Sequence, residues 1–94
     1  MISSAFLHDV AEYVNSRVAK VVINGAYEIT NFHVKAVTGN VLALNYIVPV
    51  EDVTLITQIE TRDASNATLT SDSVNVPIAS DTLMLHTIEV KEAS

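Results

Sequence analysis

Apolar residues recur every third or fourth position through the opening stretch SSAFLHDVAEYVNSRV. Leu7, Val10, Ala11, Val14 and Val18 fall along one side, with Asp9, Glu12, Asn15 and Ser16 along the other. That is the 3.6-residue period of an amphipathic α-helix, and it predicts one over about residues 3–17. Ser3 or Ser4 is placed to cap it, because a serine oxygen accepts an N–H that the first turn leaves unpaired. Phe6 is expected to fold under that turn. Leu7, Val10, Val14 and Val18 form the face expected to pack against a sheet or against a symmetry mate.

After Val18 the period changes to two. Asn24-Gly25 stands between β-branched and aromatic residues, the strongest short hairpin signal, and both residues tolerate the positive φ of a type I′ turn. A second elbow, VTGNV at 37–41, joins NFHVKAV to VLALNYIV, and Pro49 ends that strand by withholding a ladder donor. An extended acidic link, Val50-Glu51-Asp52, leads into a segment in which Val53, Leu55, Thr57 and Ile59 alternate with Thr54, Ile56, Gln58 and Glu60. Alternation stops at Asp63-Ala64-Ser65-Asn66 and resumes at Leu69, so these four residues read as a hairpin elbow. Asp63 is suited to bonding backbone two residues on, and Asn66 to the left-handed position. Pro77 ends the following strand. In the last one, Leu83, Met84 and Leu85 are apolar on both sides, which predicts a central strand or a covered face.

These elements define a single α+β domain over 1–94. It consists of an N-terminal amphipathic helix followed by about six short antiparallel strands forming a β-sandwich over about 18–91.

Composition sharpens the picture. A 94-residue domain has a thin core, yet 49% of its residues are hydrophobic and only 17% charged, where roughly 25% charged is usual. The surplus apolar surface is expected to be covered by other copies or partners. With a net charge of −6 and five Lys and Arg in no cluster, neither a phosphate backbone nor an anionic membrane has an electrostatic foothold. There are no cysteines, which removes disulfides, thiolate metal sites and cysteine nucleophiles. No basic segment leads an apolar run at the N-terminus and no apolar run is long enough to span a bilayer, so a soluble protein made in a cytoplasm is expected.

Chemistry-bearing residues are scattered. Asp63 and Ser65 lack a nearby histidine and a strained glycine elbow, and the stretch lacks the glycine and terminal glutamate of a calcium loop. Asn66-Ala67-Thr68 matches a glycosylation acceptor, without a secretion route to use it. His8, His33 and His86 have no metal-ligand spacing. His8 is placed on the polar helix face, His33 with Lys35 on a solvent face, and His86 on the apolar Met84–Ile88 side, buried and hydrogen-bonded. Glu51 and Asp52 point apart in an extended link and cannot share a proton. Tyr13, Tyr27 and Tyr46 read as half-buried packing residues, with a sugar-stacking platform as the alternative. No catalytic, cofactor-binding or metal-binding residue is assigned, no cofactor is expected, and the chain does not read as an enzyme.

The stretches MISSAFLHDVAEYVNSRVAKVVING, VEDVTLITQIETRDASNATLTSDSVNVPI and LMLHTIEVKE, in that order, resemble small proteins encoded among the tail and baseplate genes of long-tailed phages and prophages of Gram-positive bacteria. The helix-then-sandwich order is also similar to the shoulder domain that attaches phage receptor-binding proteins to baseplates. The resemblance implies a non-enzymatic structural or assembly role, made in the bacterial host cytoplasm and carried in the virion tail. Its implied partners are further copies of the chain and other tail or baseplate proteins, with no nucleic acid and no membrane. The alternative is a small carbohydrate- or receptor-binding module acting on the host cell wall.

Overall fold

The opening apolar stripe winds into helix α1, Ser4–Arg17, in the computed structural model of the chain, which describes residues 3–91. Ser3 is the N-cap, its hydroxyl accepting the Phe6 N–H at 3.2 Å. Ala11 is fully buried, Val18 just past the helix is 2% exposed, Val14 packs against the core, and Leu7 and Val10 are half-buried. Phe6 does not fold under the first turn and remains 55% exposed. It precedes Leu7 by one residue, roughly 100° around the axis, which carries it off the buried stripe.

Seven antiparallel strands follow among the described residues. These are β1 (Lys20–Ile23), β2 (Tyr27–Ile29), β3 (Val34–Thr38), β4 (Val41–Val48), β5 (Leu55–Arg62), β6 (Thr68–Pro77) and β7 (Thr82–Glu89). They form a four-stranded sheet in the order β2-β1-β5-β6 and a three-stranded sheet in the order β3-β4-β7. The fold class is therefore α+β. The strand total is seven against the expected six, and β2, the second arm of the Asn24-Gly25 hairpin, is the shortest at three residues.

One hydrophobic cluster joins the two sheets and the end of the helix. Val21, Ile23 and Ile56 enter it from the four-stranded sheet and Leu42, Leu44, Tyr46 and Val48 from the other, all at 0% exposure. Each such aliphatic side chain contributes about 1.5–3 kcal/mol on burial, so these few carry much of the fold.

The turns follow their local chemistry. Asn24 and Gly25 take φ of 56° and 70°, and the Ala26 N–H closes the turn on the Ile23 carbonyl at 3.1 Å. Gly39 turns β3 into β4 at φ 61°.

Four expectations are overturned, three by contacts distant in sequence and one by a local turn. The run Leu83-Met84-Leu85 is not central: β7 is an edge strand that pairs only with β4, and nothing in the described chain covers Leu83 and Leu85, which are 50% and 70% exposed. Lys35 does not share a solvent face with His33. It turns toward the helix, where its ammonium donates to the Asn15 carbonyl and to Asn15 Oδ1, both at 2.6 Å, and leaves Val34 facing out. A register shift in the β5–β6 ladder between Ile56 and Gln58 breaks the simple alternation of β5. It buries both Ile56 and Ile59 and leaves Leu55 outside. Last, the segment 50–52 is a turn closed by the Asp52 and Val53 N–H groups on the Pro49 carbonyl, so it is not extended.

Candidate functional site

The β5–β6 elbow gathers the densest polar cluster in the described chain. Asp63 is 8% exposed. Its Oδ1 accepts the Ser65 N–H at 2.9 Å, the Ser65 hydroxyl at 2.7 Å and the Ala67 N–H at 2.9 Å, while Oδ2 takes the Arg17 guanidinium at 2.9 Å. The Ser65 hydroxyl foremost, then the Ala67 N–H and Arg17, hold the Asp63 carboxyl well below the usual aspartate range. Asn66 occupies the left-handed region at φ 73°, and its N–H closes the turn on the Asp63 carbonyl. Four donors hold this carboxylate, three on Oδ1 and one on Oδ2, and the Ser65 hydroxyl points its proton at it. The elbow is a turn anchored to the helix.

His86 lies on the core-facing side of β7, half-buried, with Nδ1 3.3 Å from the Tyr46 hydroxyl. Burial pushes its pKa down, and the charge of Asp72 partly opposes this. Burial also pushes the Tyr46 phenol up to about 12, so it stays neutral. Phe32 meets the Tyr46 ring edge-on at 6.0 Å. His8 lies beside Glu12 on the helix, 3.8 Å from its carboxylate, and from there donates from Nδ1 to the Gly39 carbonyl at 2.6 Å, tying α1 to the β3–β4 turn. His33 is exposed at the start of β3. The three histidines stay apart, and among the described residues no three His, Asp or Glu side chains converge as metal ligands.

The tyrosines are not one platform: Tyr46 is fully buried, Tyr13 is 59% exposed on the helix, and Tyr27 is half-buried. Tyr27 lines a cleft of about 320 Å³ together with Glu28, Asn31, His33 and Pro49.

Asn24 has a second role that its place in a hairpin turn does not announce. Its Oδ1 accepts the Thr57 N–H at 2.7 Å, the Thr57 hydroxyl at 3.0 Å and the Gln58 N–H at 3.2 Å, and its Nδ2 donates to the Leu55 carbonyl at 2.7 Å. The only signal was that an asparagine, where glycine would satisfy the turn equally well, carries a side chain free to bond.

The outward faces of the two sheets contrast sharply. On the four-stranded sheet, Lys20 pairs with Glu28 at 3.4 Å and Arg62 with Glu60 at 2.9 Å. On the three-stranded sheet the outward rows run Leu83 beside Ile47, then Leu85 beside Asn45 and Val34. Four of these, Val34, Ile47, Leu83 and Leu85, are large apolar side chains between 36% and 70% exposed. Together they make the outer face of the three-stranded sheet apolar. Of the helix residues singled out by period, Val14 and Val18 are used inside the fold and Leu7 and Val10 lie at its margin.

Compared with family models, with curated proteins and with solved structures, the chain gives no match.

Proposed function

We propose that the chain is a non-enzymatic structural or assembly protein of the tail or baseplate region of a phage, carried in the virion and self-associating through apolar surface. In this reading its two sheets stack as a β-sandwich that presents one charged and one apolar outer face. The observation that carries the assembly role is the outward apolar face of the three-stranded sheet, with Leu85 70% exposed at its edge. The polar clusters favour it too, because Asp63, Ser65, Tyr46 and His86 are spent on each other and on backbone. The phage setting rests on the resemblance of the sequence segments. Mass spectrometry of purified particles of the phage encoding the chain tests it: the protein is expected in stoichiometric amount with the other tail proteins. Its absence from both particles and assembly intermediates would overturn the reading.

The polar cleft beside Tyr27 favours one alternative, a small carbohydrate- or receptor-binding module for the host wall. An aromatic ring flanked by Glu28, Asn31 and His33 is suited to stacking a sugar and bonding its hydroxyls. Binding of wall glycans that Tyr27→Ala abolishes would favour that module over the assembly role.

A further inference from the structure

We propose that β7 pairs along its free edge with β7 of a second copy of this chain, antiparallel about a two-fold axis, so that the two three-stranded sheets become one six-stranded sheet. The proposal rests on the assembly reading above and names the surface that performs it.

The edges of the two sheets differ in how they are protected. β2 has three residues, and β3 has five with a lysine among them. β6 has ten but carries Pro77, Asp72 and two register shifts against β5. β7 has eight residues, Thr82–Glu89, in unbroken register with β4, without proline, lysine or arginine. Short length, proline, charge and bulges are the devices that keep edge strands from pairing with other chains, and β7 has almost none.

The ladder fixes which backbone groups are free. Val90 N–H donates to the Asn40 carbonyl at 2.9 Å, toward β4. Asn45, opposite Leu85, gives its carbonyl to the His33 N–H on its other side at 2.8 Å. In an antiparallel pair such directions alternate residue by residue. The N–H and C=O groups of Leu83, Leu85 and Thr87 therefore point to the open edge, and the Leu83 and Leu85 side chains are exposed beside them. A register that sets Leu83 opposite the partner's Leu85 joins these groups in reciprocal hydrogen bonds and gathers four leucines into one patch. A strand paired with its own copy about a two-fold needs no other sequence to complement it.

Charge singles out the same edge. Copies with a net charge of −6 repel, so an uncharged edge is the favourable place for two copies to meet. Between Leu83 and Thr87 the β7 edge presents no charged residue.

Light scattering at micromolar concentrations on the parent and two variants tests the pairing. Leu85→Thr keeps the outward N–H, whereas Leu85→Pro deletes it without removing a ladder bond to β4. The parent and Leu85→Thr are expected to be dimers and Leu85→Pro a monomer with unchanged circular dichroism. Should Leu85→Pro fail to fold, Thr87→Pro makes the same deletion and leaves both leucines in place. A dimeric proline variant would overturn edge pairing while leaving assembly through another surface intact. Equal loss of the dimer in Leu85→Thr and Leu85→Pro would place the contact in side chains and overturn it as well. A parent that stays monomeric throughout would remove self-assembly itself.

Discussion

The Arg17 guanidinium meets the Asp63 carboxylate at 2.9 Å and ties the last turn of α1 to the β5–β6 elbow. Because the carboxyl is held below its ordinary value of 3.8 by Ser65, Ala67 and Arg17, the folded state releases this proton more readily than the unfolded chain. The stability this gives is fully present above that ordinary value and is lost as pH falls below it. Thermal melts from pH 6 down to pH 3 are expected to show the parent losing more stability than Asp63→Asn. Ser65→Ala should also lower the melting temperature, by less than Asp63→Ala, since it removes one of four contacts to the carboxylate. Parallel melting curves for parent and Asp63→Asn would contradict this.

His86 has the opposite chemistry and the same sign. Burial lowers its pKa from 6.5, so the unfolded chain binds the proton more tightly, and stability falls as pH drops below that value. His86→Gln should flatten the melting profile between pH 7 and pH 5. Tyr46→Phe removes the hydroxyl bonded to His86 Nδ1 and should cost about 1 kcal/mol in denaturant unfolding.

The turn residues separate backbone strain from side-chain bonding. Asn66→Val forces a β-branched residue into φ 73° and should cost roughly 1–2 kcal/mol. Asn24→Gly keeps the backbone content with φ 56° but gives up four bonds to β5, and should cost on the order of 1–2 kcal/mol. If Asn24→Gly melts like the parent, the clamp contributes nothing.

At the C-cap of the helix, Val18→Ala truncates a core residue that is 2% exposed and should cost about 2 kcal/mol. Exposed Glu12→Ala should change stability by less than about 0.5 kcal/mol. Leu7→Ala should fall between them, because Leu7 is only half-buried. Equal losses for Val18→Ala and Glu12→Ala would contradict the docking of the helix by its stripe.

What the sequence made legible was local. The helix stripe, the paired positive φ at Asn24-Gly25 and the Asx elbow at Asp63 each depend on residues a few positions apart. The hidden features depend on partners far along the chain. Lys35 faces inward because Asn15, 20 residues away, receives its ammonium. The Leu83-Met84-Leu85 run reads as central, yet the order β3-β4-β7 leaves it at an edge, and no periodicity distinguishes a strand covered by its own chain from one covered by another copy. Surplus apolar composition predicts a contact surface without locating one; the helix stripe is the more visible candidate in sequence, and the fold uses much of it internally.

Residue-resolved amide hydrogen exchange at high and low protein concentration tests the central claim, assembly through the β7 edge, most directly. The Leu83, Leu85 and Thr87 amides have no ladder partner on β4 and exchange freely in an isolated chain. At high concentration they should become protected to the level of the Leu44 and Tyr46 amides in the middle of the sheet, and lose that protection on dilution. Rapid exchange of all three at every concentration, with the core amides protected throughout, would contradict it.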